Sequence, residues 1–260
     1  MSRFNRILIT GTTSGMGYAF LDHYTRLGKQ VLCVNRGYDA KLARDFAKAA
    51  FEAVDISHYE AVEKLLIRLK HQDALPDLFI LNAGINKMDN GADGLSYSNF
   101  QEVMRVNLDG VMTFIGALHA LGARNKTIAV ISSTTNIVPN PRHIAYHLSK
   151  WSVHRAFALL RKTDASNTYK SIVLGPVRTN IMRNSPKHEG AQKLVYERIV
   201  VETNPAAIAC LKFFEGKGKT LYYPFWVCCF YAMVRFVMGL FPQVYEGSPV
   251  DSERPVLQTK

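Results

Sequence analysis

Cysteines and acidic side chains are scarce in this sequence, and each scarcity removes a class of protein. Only four cysteines occur in 260 residues, at Cys33, Cys210, Cys228 and Cys229. None lies in a C-x-x-C pair and two are adjacent, so an ordinary disulfide framework is excluded and reduced thiols in a cytoplasmic setting are expected. Asp and Glu number 21 against 32 Lys and Arg, a formal charge of +11. That balance favours anionic partners such as phosphates or acidic lipid headgroups. No basic run or repeated basic and aromatic pattern accompanies it, and nucleic acid is therefore not an expected partner. The chain also shows no linker, low-complexity tract or repeat. Its basic start, Met1 to Arg6, is followed by a short run, Ile7 to Thr10, and then a glycine turn, so no export signal is expected.

What is present is a globular composition, 48% apolar and 20% charged, at a length that suits one α/β domain. Ile7 to Ile9 is a short apolar run ended by Thr10-Gly11, the pattern of a strand buried on both faces. A helix over Met16 to Leu27 is expected next, stopped by Gly28. The alternation continues with Val31 to Val34 (strand), Lys41 to Ala50 (helix), Phe51 to Val54 (strand), Tyr59 to His71 (helix) and Leu78 to Leu81 (strand). Phe100 to Leu121 (helix), Ile128 to Ser132 (strand), Ala145 to Arg161 (helix) and Ser171 to Leu174 (strand) extend it. Such regular alternation predicts an α/β fold with a doubly wound parallel sheet of Rossmann type, whose ligand sits at the carboxyl ends of the strands.

The first turn, Thr10-Gly11-Thr12-Thr13-Ser14-Gly15-Met16-Gly17, joins that strand to that helix. Main-chain N–H groups and the helix dipole attract a pyrophosphate there. The second strand ends Val34-Asn35-Arg36. No acid stands at its tip to take ribose hydroxyls, and a guanidinium can grip a 2′-phosphate, so NADP is the expected cofactor. Asp39 lies close enough to leave NAD open. Asp55, after the third strand, could accept the adenine amino group or cap a helix.

Tyr146 and Lys150 stand four apart in a predicted helix and project from one face. Ser133 closes the fifth strand, Asn82-Ala83-Gly84 the fourth, and Asn107 lies in the following helix. A tyrosine of ordinary pKa about 10 is a poor base. A positive charge about 4.5 Å away is worth roughly 3 to 4 kcal/mol at an effective dielectric near 20, which would bring the phenol to about 7 to 8. Ser133 would donate to the substrate oxygen as charge develops, and Asn107, awkward in a helix interior, calls for a water or backbone partner. His143 and His147 are also four apart, but no third ligand accompanies them, so no metal is expected and both read as surface histidines.

With T-G-x-x-x-G-x-G and Y-x-x-x-K in place, the chain resembles the short-chain dehydrogenase/reductase family from Arg6 to about Ile181. The resemblance implies an oxidoreductase interconverting an alcohol and a carbonyl, with Asn107, Ser133, Tyr146 and Lys150 as catalytic tetrad. It also implies that Thr10, Gly11, Thr13, Ser14, Gly15, Met16 and Gly17 hold the cofactor phosphates, and that Asn35 or Arg36 touches the adenosine ribose. Asp55 and Ile56 would meet the adenine; Asn82, Ala83 and Gly84 would support the ribose. Val177 and Thr179 would hold the nicotinamide carboxamide, with Pro176 also at the cofactor, in a Gly175-Pro176 order inverted from the family's frequent Pro-Gly. Residues 1–181 are then the cofactor-binding and catalytic core. Residues 182–220 are a substrate lid, from the polar Ser185 to Arg198 stretch, and a helix from Asn204 to Glu215. Residues 221–260 are a last strand, Leu221 to Tyr223, an apolar helix and a tail. A homodimer or homotetramer through the helices carrying Asn107 and Tyr146 is a further implication.

The run from Phe225 to Phe241 is unusually apolar. At about 25 Å as a helix, and broken by Arg235, it is too short to cross a bilayer. It could cap the substrate pocket, form an oligomer contact, or give a peripheral membrane contact beside the basic surface. The first and third of these favour a lipophilic alcohol or carbonyl as the small-molecule partner, with an NADPH-linked reductase the leading expectation. The contrasting reading is a catalytically silent dinucleotide sensor or membrane-associated regulator on the same fold, which would predict an eroded tetrad.

Overall fold

A computed structural model describes residues 2–88, 95–137, 143–181 and 196–240. Its centre is a seven-stranded sheet in the order β3-β2-β1-β4-β5-β6-β7, with every pairing parallel. The strands are β1 (Arg6–Thr10), β2 (Gln30–Asn35), β3 (Ala50–Ala53), β4 (Leu78–Leu81), β5 (Thr127–Ser133), β6 (Thr168–Leu174) and β7 (Thr220–Tyr223). The order reverses between β1 and β4, which opens a crevice at their carboxyl ends. This is the doubly wound α/β fold expected from the sequence.

Helices cover both faces: α1 (Gly15–Arg26), α2 (Ala40–Asp45), α3 (Tyr59–His71), α4 (Tyr97–Met104), α5 (Gly110–Ala120), α6 (Ile144–Thr163), α7 (Thr203–Glu215) and α8 (Phe225–Leu240). Alternate strand residues supply the two cores. Ile7, Ile9, Ile80 and Ile172 pack under α1 and α7 through Phe20, Tyr24, Cys210 and Phe214. Leu8, Phe79, Leu81 and Val130 face α3, α5 and α6 through Leu66, Phe114 and Phe157. Both halves are needed because a strand buried on two faces gains from each.

Two boundaries differ from the sequence reading. The helix expected over Lys41 to Ala50 ends at Asp45, because Phe46 leaves the helical conformation and packs with Ala49 against the core, and Ala50 already belongs to β3. The long helix expected over Phe100 to Leu121 starts earlier, at Tyr97, and is interrupted by a π-helical turn over Arg105–Asp109. The stretch expected as a lid lies mostly outside the described residues, which omit 182–195.

Candidate active site

The crevice at the strand ends is a cavity of about 1400 Å³, lined by the glycine turn, the tips of β2, β4 and β5, the start of α6 and the segment after β6. The glycine turn is pressed against β4 so closely that side chains are barred. A Cβ on Gly17 would stand 2.0 Å from the Gly11 carbonyl oxygen, and one on Gly11 would stand 2.9 Å from the Ala83 Cα, at a φ of +71°. Two asparagines brace it. Asn82 Nδ2 donates to the carbonyls of Thr10 and Gly11, each at 3.0 Å, while Thr10 Oγ1 accepts from the backbone N–H groups of Asn82 and Ala83. Asn35 is 6% exposed; its Oδ1 accepts from Thr12 N at 2.8 Å and its Nδ2 donates to Thr12 Oγ1 at 2.9 Å. Ser14 caps α1 without a side-chain bond, so the first helical turn meets the cavity through Thr13, Ser14, Gly15 and Met16.

Arg36 and Tyr38 line the far end of the cavity. Among the described residues Arg36 takes part in none of the ion pairs. The Asp39 carboxylate, by contrast, is engaged: its Oδ1 accepts from Leu42 N at 3.0 Å and caps α2. Asp55 lines the cavity beside Ile56 and accepts from Ser57 N (3.0 Å) and Ser57 Oγ (2.7 Å). Burial raises its carboxyl, but those bonds together with the nearby His58 and Arg105 hold it below the usual carboxylate range. The cap of α3 is His58 rather than Asp55.

At the opposite end, Ser133, Tyr146 and Lys150 share the cavity wall. Lys150 is buried and anchored to β5: its Nζ donates to the Ile131 carbonyl at 2.8 Å, and its own carbonyl accepts from Ser132 Oγ at 3.0 Å. The ammonium sits 5.7 Å from the Tyr146 ring centroid. The expected phenol near neutrality is not found. Burial pushes Tyr146 from its ordinary 10.0 up to about 12, with the Ser133 hydrogen bond pulling the other way, and burial brings Lys150 from 10.5 down to about 8. Removal of water is the leading cause at both groups.

Asn107 stands one layer behind. Its Oδ1 accepts from Ile85 N (2.8 Å), and its Nδ2 donates to Ile85 O (2.9 Å) and Ser149 Oγ (3.0 Å). The backbone partner that a mid-helix asparagine calls for is thus Ile85, and the π-helical turn is what aims the amide at it. Gly84 lies between the two groups, its missing Cβ 3.2 Å from Asn107 Oδ1 and 3.3 Å from Lys150 Nζ. After β6, Pro176, Val177 and Thr179 line the cavity, and Thr179 reaches across to the glycine turn, 3.2 Å from the position of a Gly15 Cβ.

Of the residues singled out in the sequence, Thr10, Gly17 and Asn107 do not line the cavity; they support those that do. Two histidine expectations need correction. His143 is 5% exposed and lines the cavity, and His147 is partly buried with its ring Nδ1 against the Thr135 carbonyl, because the α6 start folds onto the strand ends. Among the described residues no group of three metal-ligating side chains occurs. Sequence reasoning missed the Lys87–Glu102 ion pair on the cavity wall, whose members are 15 residues apart and carry no local motif. No described residue of α8 lines the cavity.

A model of the short chain dehydrogenase family matches residues 5–190. The chain belongs to the short-chain dehydrogenase family. It is an oxidoreductase of alcohols and carbonyls accordingly. Curated relatives of this short-chain dehydrogenase include glucose 1-dehydrogenase 2 of Bacillus subtilis, 26% identical over 204 residues, covering 72% of this chain and 77% of the relative. A hydroxysteroid 11-beta-dehydrogenase 1-like protein of Xenopus tropicalis is 26% identical over 244 residues, covering 87% and 82%. Among solved structures, a gluconate 5-dehydrogenase of Burkholderia cenocepacia in complex with NADP and tartrate superposes with a TM-score of 0.72 at 22% identity, over 84% of this chain and 92% of that one. An alcohol dehydrogenase of Thermococcus sibiricus complexed with 5-hydroxy-NADP gives 0.71 at 20% identity, over 84% and 95%.

Proposed function

We propose that this short-chain dehydrogenase is an NADP-linked reductase that turns a carbonyl into an alcohol. The observation that carries the reading is the placement of Ser133, Tyr146 and Lys150 on the cavity wall opposite the glycine turn. The turn fits a dinucleotide: its backbone is open where side chains would collide, and α1 offers its first-turn N–H groups. Arg36, outside any ion pair among the described residues, suits a 2′-phosphate, while Asp39, also on the cavity wall, has one carboxylate oxygen taken by its cap. Structural relatives complexed with NADP are in keeping with this choice, and one complexed with NADH leaves NAD as the second cofactor to test.

When bound, the nicotinamide supplies the hydride. Tyr146 gives its phenolic proton to the substrate oxygen, and Ser133 donates a hydrogen bond to that oxygen as negative charge develops. Lys150, held by Ile131, keeps a positive charge behind the phenol. A phenol pushed up to about 12 is protonated at neutral pH. It is therefore ready to act as an acid towards the substrate oxygen. Asn107 positions Gly84 and Ile85 rather than touching substrate.

Ile85, Val106, Ile181 and Ile199 give the substrate end an apolar wall, with Thr135 and His143 as polar points. A lipophilic ketone with one hydrogen-bonding end suits it, and the hydroxysteroid dehydrogenase relative is consistent with such a body. Leu148, Trp151 and Leu159 leave an apolar strip exposed on α6, which supports association of copies through that helix.

The test is intrinsic-fluorescence titration with NADPH and NADH, followed by a panel of lipophilic ketones, for the wild type and Tyr146→Phe. NADPH is expected to bind at least about tenfold more tightly, a difference of about 1.4 kcal/mol. The variant is expected to bind it equally well while losing on the order of a thousandfold or more in turnover. Binding of neither nucleotide, or turnover surviving in Tyr146→Phe, would overturn the reading.

A further inference from the structure

Helix α8 presents its apolar side outward. At 100° per residue, Phe225, Trp226, Cys229, Met233 and Phe236 share one arc of about 100°. All five are exposed, Phe225 at 71%, Trp226 at 54%, Met233 at 56% and Phe236 at 67%, while Val227 and Cys228 are buried against the body. A helix whose outer face meets water carries charge there. This one has no acidic residue over its whole length, and Arg235 is its single charge.

We propose that α8 docks in the interface of an anionic bilayer, its axis in the membrane plane. Four observations favour lipid as the occupant. The four large side chains, at roughly 200 Å² each and a little over half exposed, present about 500 Å². That falls short of the roughly 800 Å² per partner of a standard protein interface. The face is made of aromatic rings and Met on one convex arc, the shape that sinks into the headgroup and acyl boundary. Among the described residues no helix is long and apolar enough to cross a membrane, so α8 can lie on a bilayer but not span it. The chain carries a formal charge of +11, which complements anionic headgroups.

Position gives the docking a consequence. Val227 packs at the root of α8 only 3.1 Å from where a Gly175 Cβ would stand, and Gly175 and Pro176 line the cavity. Docked, α8 holds the cavity next to the lipid, where a carbonyl dissolved in the bilayer can reach it; this last step rests on the reductase reading, whereas the docking does not.

Flotation of the full chain with phosphatidylcholine vesicles containing about 30% phosphatidylserine, against phosphatidylcholine alone, tests the surface. The wild type is expected to float with the anionic vesicles. A Trp226→Ser/Met233→Ser/Phe236→Ser variant, its fold checked by circular dichroism, is expected to partition about 100-fold more weakly. A wild type that stays down with both vesicles, or a variant that floats equally, overturns the proposal. A wild-type dimer that the variant makes monomeric, with neither floating, overturns it in favour of an interface between copies. None of these outcomes depends on nucleotide binding, so the docking and the reductase reading fail separately.

Discussion

In the proposed reading Arg36 and Asp39, three positions apart, set the cofactor preference. The carboxylate is held by the Leu42 N–H at the start of α2, while the guanidinium lines the cavity outside any ion pair among the described residues. Arg36→Asp places a negative charge where the 2′-phosphate would sit and leaves the cap intact. The NADPH to NADH affinity ratio is expected to fall by at least about tenfold, or about 1.4 kcal/mol, read by fluorescence titration with both nucleotides. An unchanged ratio would show that Arg36 does not meet the phosphate. At this scale the sequence was informative about residue types and less so about their tasks. Asn35 reads as a ribose contact beside Arg36, yet its amide is turned back onto Thr12, because a tight turn with few side chains needs a brace from the next strand. The fate of an amide depends on which backbone groups come within 3 Å of it, and strand register decides that.

Among the elements, the π-helical turn of Arg105–Asp109 is the feature that periodicity could not reveal. A run from Phe100 to Leu121 keeps helical spacing throughout, but one extra residue in the ladder rotates Asn107 towards Ile85. Asn107→Ala would leave both backbone groups of Ile85 without their side-chain partner, while the Ser149 hydroxyl keeps its bond to the Tyr146 carbonyl. The expected cost is about 2 to 4 kcal/mol, read as a lower urea midpoint. KM for the carbonyl is expected to rise along with it, because the Gly84–Ile85 segment lies beside Lys150. Asn107→Gln, which keeps the amide on a longer arm, should recover part of the stability and little of the KM. The early end of α2 has the same kind of origin: Phe46 follows core packing rather than helical preference.

For the whole molecule, two lysines placed inside the protein give a pH signature. Lys150 and Lys170 are both buried, and burial lowers each from 10.5 to about 8. Between about 8 and 10.5 the unfolded chain holds protons that these two lysines have shed in the folded one, so their contribution to stability rises with pH through that window. The cost of burying the charges is present in full below about 8. The buried thiols of Cys33, Cys210 and Cys228, raised from 9.0, oppose this above about 9, and the raised tyrosines above about 10. Urea unfolding of the wild type between about pH 8 and 10 is expected to show a gain over Lys150→Met of up to about 3 kcal/mol. Parallel curves would mean that Lys150 keeps its ordinary pKa.

The sequence by itself determined the sheet, the two-faced core and the identity of the chemical groups. Those follow from local period and from turn composition, which neighbours along the chain carry. Glycine spacing, the Tyr146–Lys150 interval and the strand-end positions of Ser133 and Asn82 were legible for the same reason. Tertiary structure decided what those groups experience. It buried the Tyr146 phenol and raised it where charge proximity alone would lower it, brought Lys87 to Glu102 across the cavity wall, and folded His143 inward. It also turned the aromatic face of α8 outward. Desolvation and long-range contact depend on everything packed around a group, and a linear sequence does not contain that surrounding volume.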